Sequence, residues 1–222
     1  MQKLKEAIAI FAENFLYFTL IILTIRFPIN FFSEIINTLV FTQGDWVKFA
    51  TEGRLNKLLS LIFDPIYIGG IIYCLWCIKG GKQFYYIKAL SAGVYKWREL
   101  FLVNVVAGLI IFCGFWMLII PGILFYIMYS FNASIVILER HHTISSVLRR
   151  SVCLTMGKRW EIFWGVFILS IPVLITSISF GITHFLFRNI LVNIILSCIV
   201  DIMLAIYPIM FFLFYWQAKK DG

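Results

Sequence analysis

Two charged side chains, Arg26 and Asp201, fall midway along apolar stretches of this 222-residue sequence. A charge at the centre of a bilayer costs about 2.5–3.5 kcal/mol or more unless it is paired or hydrated. An ion pair between the two would close a helix bundle, whereas a polar path lined by them would serve transport. Both interpretations stay open, and we expect the two side chains to approach each other because each is costly alone. Asp64, which precedes Pro65, is interpreted as the N-cap of a helix.

Other residue types that could do chemistry are less informative. Cys74 and Cys77 form a C-x-x-C motif, but it lies inside an apolar stretch with no second ligand pair, so two buried thiols are favoured. His141 and His142 lack further ligands, since His184 falls on the opposite side of the predicted membrane. The sequence has no Gly-rich phosphate loop and no nucleophile elbow. We therefore expect no enzymatic activity, no catalytic residue, no cofactor and no metal.

Basic residues gather in two polar segments between apolar stretches. They are Lys82, Lys88, Lys96, Arg149, Arg150, Lys158 and Arg159. In 82–101 and 143–156 the apolar residues recur every three or four positions, which predicts two amphipathic helices, the second ended by Gly157. Each basic residue near an anionic leaflet contributes about 1 kcal/mol of attraction. We expect a basic collar that binds anionic lipid, with the faces around Ile87–Val94 and Ile144–Leu148 turned into the bundle or the acyl region. The alternative is that these charges only determine topology.

The composition sets the environment in which these side chains act. The chain is 62% hydrophobic and 14% charged, with a mean hydropathy of +0.94, whereas soluble domains are about 25% charged. This is typical of an integral membrane protein whose partners are membrane lipids. The net charge of +8 would suggest nucleic acid in a soluble chain, but here it indicates asymmetric loops, and we expect no nucleic-acid partner. Protein partners stay open.

Six apolar stretches are long enough to cross about 30 Å of hydrocarbon. They lie at about 8–41, 58–78, 100–120, 121–138, 161–187 and 190–216, within one integral membrane domain at 1–222. The first is too long for one straight span, so we expect a kink at Pro28 or a strong tilt. Pro121 and Gly122 are expected to form the turn between the third and fourth spans. A short interfacial helix is expected within 44–60.

The distribution of basic residues predicts the orientation. With a cytoplasmic N-terminus, 14 of the 19 basic residues fall on the cytoplasmic side and four on the other. Such an excess is the positive-inside signal. We expect six spans in a bacterial cytoplasmic (inner) membrane, with both termini in the cytoplasm and a retained first helix rather than a cleaved signal peptide.

A short internal similarity suggests duplication. Lys96-Trp97-Arg98-Glu99-Leu100-Phe101 is similar to Lys158-Arg159-Trp160-Glu161-Ile162-Phe163. Each copy lies between a basic amphipathic helix and an apolar span that leads away from it. This predicts a parallel repeat in which 58–120 and 121–187 superpose. Chance resemblance between two polar segments is the alternative.

A longer pattern resembles a known family. It consists of Gly69-Gly70, a basic turn, Ile119-Ile120-Pro121-Gly122-Ile123, Glu139 and the segment SSVLRRSVCLTMG at 145–157. Over 64–166 it resembles the YciC-like family of small bacterial inner-membrane proteins. It is also similar to the membrane domain of some glycerophosphodiester phosphodiesterases. The resemblance implies an all-α, polytopic fold and supplies no activity. In such enzymes a separate soluble barrel carries the metal and the chemistry, and these 222 residues do not include one.

Three hypotheses for function follow. The first is a non-enzymatic integral inner-membrane protein of structural or accessory type that binds anionic lipid at its cytoplasmic face. The second is a small transporter or channel that uses Arg26 and Asp201. The third is a lipid-modifying enzyme. A wet cavity around Asp201 would favour transport, and a packed interior would favour the structural role.

Overall fold

The fold is a bundle of α-helices. A computed structural model describes residues 2–40, 45–139, 143–186 and 190–221. Within these ranges the helices are α1 (Gln2–Glu13), α2 (Phe15–Val40), α3 (Asp45–Lys79), α4 (Tyr86–Tyr95), α5 (Trp97–Met117), α6 (Ile119–Met128), α7 (Asn132–Leu138), α8 (Ile144–Thr155), α9 (Arg159–Leu186), α10 (Ile190–Leu204) and α11 (Ile206–Asp221). The described residues include no β-strand. The predicted all-α class is confirmed.

Six segments of the described chain are long and apolar enough to cross a membrane. They are Phe15–Ile36, Asn56–Lys79, Trp97–Met117, Ile119–Leu138, Arg159–Ser179 and Ile194–Asp221. The predicted number of spans is confirmed. Two of the six are built from two helices each, because α6 is followed by α7 and α10 by α11 within a single apolar stretch.

The first apolar stretch differs from its prediction. It contains two helices, and the interruption falls at Asn14, between the end of α1 and the start of α2. The side-chain amide of Asn14 donates to the carbonyl oxygen of Ile10 at 3.1 Å. Asparagine competes with the helix ladder through such local hydrogen bonds. Pro28 lies inside α2, so the chain divides well before the point that the proline suggested.

The turn between the third and fourth spans also lies earlier than predicted. α5 ends at Met117, and Leu118 is extended, with φ −164° and ψ 154°. The prediction of a turn at Pro121-Gly122 is wrong, because both residues belong to the first turn of α6. A proline fits there, since the first N–H groups of a helix have no partner within it. Glycine is required next to it, since a Cβ at Gly122 would lie 2.4 Å from Cγ of Phe115 on α5.

The segment 44–60 is not a separate interfacial helix. Residues 45–60 form the first part of α3, which continues for 35 residues. At 1.5 Å per residue α3 is about 50 Å long, which exceeds the hydrocarbon thickness of about 30 Å. Asp64 and Pro65 lie inside this helix. The N-cap interpretation of Asp64 is therefore wrong, and its carboxylate needs another explanation.

The two polar segments do form helices, but α4 differs from its prediction. It covers only Tyr86–Tyr95, and Lys96 separates it from α5. Ala89 and Gly93 are its buried residues, whereas Ile87 is 76% and Val94 55% exposed. The Ile87–Val94 face therefore does not pack into the bundle, and its contact with the acyl region, the other predicted alternative, stays a prediction.

The second polar segment follows its prediction more closely. In α8 the buried residues include Val147, which belongs to the predicted Ile144–Leu148 face, together with Ser151 and Thr155. The Ser151 hydroxyl donates to the carbonyl oxygen of Met128 at 2.7 Å and so holds α8 against the end of α6. The helix ends at Thr155, and Gly157 has a φ of +84°. A positive φ favours glycine, so the predicted stop is confirmed.

The centre of the core lies where α1 and α11 meet the second half of α3. Ala7, Ile71, Leu75, Phe212 and Tyr215 are among its fully buried side chains. Beside this core the carboxylate of Glu6 accepts hydrogen bonds from the ammonium groups of Lys3 and Lys79. The second of these bonds joins α1 to the end of α3.

We expect the attachment of α1 to weaken in acid. Burial raises the pKa of Glu6, but the ammonium groups of Lys79 and Lys3 lower it by more, so the pKa lies below its ordinary value of 4.5. A lowered folded-state pKa gives stability that is complete above the ordinary pKa and is lost as the pH falls through the folded value. Thermal unfolding of wild type and Glu6→Gln should therefore differ at neutral pH and converge in acid. A difference that persists at low pH would contradict this assignment.

Candidate functional site

The sequence prediction that Arg26 and Asp201 approach each other is confirmed. Nη1 of Arg26 lies 3.6 Å from Oδ1 of Asp201, and each residue is only 8% exposed. A third charged group is closer still, since Nη2 of Arg26 donates to Oδ2 of Asp64 at 2.8 Å. The three side chains come from α2, α10 and α3. Asp64 therefore belongs to the site, although its position before a proline had suggested an N-cap instead.

Uncharged side chains complete the site. Nδ2 of Asn30 donates to Oδ2 of Asp201 at 2.9 Å, and Nδ2 of Asn56 donates to Oδ1 of Asn30 at 3.2 Å. The Ser60 hydroxyl accepts from Nη1 of Arg26 at 2.7 Å and donates to the carbonyl oxygen of Asn56 at 2.7 Å. Asn30 therefore forms hydrogen bonds between helices, a role that polar side chains commonly have in membrane bundles.

We call this set the polar network. Its members are Arg26, Asn30, Asn56, Ser60, Asp64 and Asp201. Residues four apart lie on one face of a helix, which places Arg26 with Asn30 on α2. Asn56, Ser60 and Asp64 repeat the same spacing on α3. This spacing of three polar residues in the second span is the sequence signal that could have revealed the site.

The charges of the polar network do not balance. It contains one guanidinium and two carboxyl groups, so its formal charge is −1 when all three are ionised. Among the described side chains Oδ1 of Asp64 and Nε of Arg26 have no hydrogen-bond partner. The ring of Tyr67 lies 5.8 Å from Cζ of Arg26 and supplies a cation–π contact. Chemically, the arrangement can hold three helices together and can accommodate one additional positive charge.

A second group of charges joins helix ends. Glu139, directly after α7, accepts from the Tyr215 hydroxyl at 2.8 Å and lies 3.4 Å from Nε of Arg150 and 3.5 Å from Nζ of Lys219. Lys158 pairs with Asp221 at the end of α11. These contacts bring together the end of α7, the end of α11 and the polar residues of α8. Spans that alternate in direction place the ends of α7 and α11 on the same side of the bundle.

The seven predicted headgroup residues comprise three that form ion pairs, three that form none with a described side chain, and Arg159. Lys96, Arg150 and Lys158 pair with Glu99, Glu139 and Asp221, so their charge is partly compensated within the protein. Lys82, Lys88 and Arg149 form no ion pair with any described side chain. Nζ of Lys82 lies 4.7 Å from the ring of Trp76, and Nζ of Lys88 lies 5.5 Å from the ring of Tyr85. Arg159 has a buried Nε without a hydrogen-bond partner in the described part of the chain.

The remaining chemical candidates form no described site. Cys74 and Cys77 are free, buried thiols in α3. No group of three or more His, Cys, Asp or Glu side chains in the described part of the chain could hold a metal ion. His141 and His142 lie outside the described residues, as does the side chain of His184.

The predicted repeat is matched in helix order but not in detail. α4 and α8 are both helices that precede an apolar span. In the first unit the preceding span lies in the continuous helix α3, whereas in the second it is divided into α6 and α7 around 129–131. Superposition of the two units stays a prediction.

Six candidate spans, three of which are joined by the polar network, define a multi-pass α-helical membrane protein. The chain is similar to UPF0259 membrane proteins of Buchnera aphidicola subsp. Acyrthosiphon pisum, strains 5A, APS and Tuc7. Each is 27% identical over 166 residues, which cover 70% of this chain and 65% of the relative. The match thus spans just under two thirds of the length of these relatives. No family model matches the chain, and no solved structure matches it.

Proposed function

We propose that this chain is a non-enzymatic membrane protein of structural or accessory type that binds anionic lipid at the cytoplasmic face of a bacterial inner membrane. The observation that carries the structural role is the burial of Arg26, Asn30 and Asp201 within the polar network. Its charged groups are partnered mainly by protein side chains from α2, α3 and α10. Such a network holds helices together where a lipid-exposed charge would be unstable.

The lipid-binding role is supported by the basic residues that form no ion pair with a described side chain. Lys82, Lys88 and Arg149 carry charge that no described acidic side chain neutralises. Native mass spectrometry of the purified protein should show retention of phosphatidylglycerol over phosphatidylcholine when both lipids are supplied. Equal retention of the two lipids would remove the lipid-binding part of the proposal.

The proposed orientation can be tested by cysteine labelling. In a variant whose native cysteines are all replaced, Lys88→Cys is expected to react with a membrane-impermeant maleimide only after the inner membrane is permeabilised. Thr51→Cys, on the predicted outer side, is the matched control and should react without permeabilisation. The physical reason is that 14 basic residues lie on the predicted cytoplasmic side. Segments rich in lysine and arginine stay in the cytoplasm when a membrane protein inserts. Labelling of position 88 from outside would reverse the topology.

A second candidate function is a small transporter or channel that uses Arg26 and Asp201. The transport function is favoured by the excess carboxylate of the polar network and by Oδ1 of Asp64, which has no hydrogen-bond partner among the described residues. Both features would suit the passage of a cation or proton. Flux of protons or monovalent cations into vesicles containing the protein tests this alternative. Flux that Asp201→Asn abolishes would favour it over the structural role, and vesicles no leakier than protein-free controls would count against it.

A further inference from the structure

A groove of about 560 Å³ opens on the surface beside α3 and α4. It is lined by Tyr73 of α3 and by Lys88, Ser91, Ala92, Val94 and Tyr95 of α4. Sites for small ligands measure about 300–1,000 Å³ and combine apolar walls with a few polar groups. The groove meets both conditions. It contains Lys88, one of the basic residues that form no ion pair with a described side chain.

Close packing of α4 along α3 forms the groove. Gly93 touches the backbone at Ile66, and Ala89 touches Gly70, so the two helices run antiparallel. Ile66 and Gly70 lie near the middle of the span Asn56–Lys79. α4 therefore packs beside the apolar span rather than beyond its end. The exposed side of α4, which carries the groove, is consequently placed to meet lipid.

The charged and aromatic side chains around the groove are of the types found at a membrane interface. Lys82 lies over the ring of Trp76, and the rings of Trp76 and Tyr73 are 6.0 Å apart. Aromatic rings and lysines with extended apolar stems collect at the level of lipid headgroups. No acidic side chain is among the described residues that line the groove. The charge of Lys88 is therefore available to an anion from outside the protein.

We propose that this groove binds the headgroup of an anionic phospholipid, with the phosphate beside Lys88 and an acyl chain against Ala92 and Val94. The Ser91 hydroxyl donates to the carbonyl oxygen of Lys88 at 2.9 Å, so its oxygen is free to accept a hydrogen bond from a headgroup hydroxyl. Phosphatidylglycerol has both the charge and the hydroxyls. The inference rests on the proposed lipid-binding function and narrows it to one site.

The test measures lipid binding by the full-length protein in detergent, using native mass spectrometry. Phosphatidylglycerol, phosphatidylcholine and inorganic phosphate are titrated separately. Lys88→Gln should weaken phosphatidylglycerol binding about fivefold, the loss expected for one basic residue near an anionic surface. Lys88→Arg should restore it, and Ala92→Leu, which fills the groove without changing charge, should also weaken it. Lys5→Gln is the control, because it removes one exposed charge on α1 that forms no ion pair with a described side chain, and it should leave binding unchanged.

The outcomes separate the groove from the broader proposal. Equal weakening by Lys88→Gln and Lys5→Gln would indicate a diffuse basic surface, which overturns the groove but keeps the lipid-binding function. Wild-type binding by Ala92→Leu would overturn the groove in the same way. Competition by inorganic phosphate at the lipid's own concentration would indicate a site for a free anion. No preference of the wild type for phosphatidylglycerol would overturn both proposals.

Discussion

Replacement of Arg26 by glutamine is expected to destabilise the protein by about 3–5 kcal/mol, the usual cost of removing one partner from a buried ion pair. The substitution leaves the carboxylates of Asp64 and Asp201 close together inside the bundle without a cation between them. Asp64→Asn should cost far less, because it removes the excess negative charge and leaves Arg26 beside Asp201 at 3.6 Å. Unfolding of the purified variants in mixed micelles, followed by circular dichroism, measures both effects. Arg149→Gln, an exposed change of the same type, is the control.

A triple variant provides a sharper test of the same idea. Arg26→Gln combined with Asp64→Asn and Asp201→Asn removes all three charges while it keeps groups that can form hydrogen bonds. We expect it to recover much of the stability lost in Arg26→Gln alone, because the residues form one network and their effects are not additive. Equal losses of stability in Asp64→Asn and Arg26→Gln, with no recovery in the triple variant, would contradict this idea. Packing rather than charge balance would then determine the stability of the network.

The polar network shows how far the sequence could predict the site. The pairing of Arg26 with Asp201 followed from the cost of an isolated charge in a span, which holds for any helical bundle. Asp64 was missed because Asp-Pro is typical of a helix start. Hydropathy gave no correction, since it marks where lipid contact begins rather than where a helix begins. The polar turns of α3 before Asn56 are helical too. Those turns place Asp64 inside the helix, four residues beyond Ser60.

The orientation of α4 could not be predicted for a different reason. Amphipathic periodicity identifies the face with the largest apolar side chains, which in a soluble protein is the buried face. In a membrane the large apolar side chains can face lipid, while small residues let helices approach closely. Ile87 and Val94 are accordingly exposed, and Ala89 and Gly93 are buried. In α8 the buried face likewise includes the small polar residues Ser151 and Thr155.

The contact between α4 and α3 predicts that Gly93→Ala is among the most damaging single-methyl additions in the chain. A Cβ at Gly93 would lie 2.0 Å from the carbonyl oxygen of Ile66, and that atom belongs to the backbone of a long helix. α4 would have to move away from α3. Overpacking typically costs about 1–3 kcal/mol, and we expect a loss near 3 kcal/mol because neither backbone can yield locally.

Gly108→Ala in α5 is the matched control for this substitution. No atom lies within 4 Å of a Cβ at Gly108, so the added methyl group meets open space. Alanine favours a helix over glycine by about 1 kcal/mol, so this variant should unfold at the same temperature as wild type or higher. Gly93→Ala should unfold at a clearly lower temperature and also lose the selective binding of phosphatidylglycerol, because displacement of α4 opens the groove that holds Lys88 beside Tyr73. Wild-type stability in Gly93→Ala would mean that α4 does not pack along the middle of the second span, and the groove would then lose its structural basis.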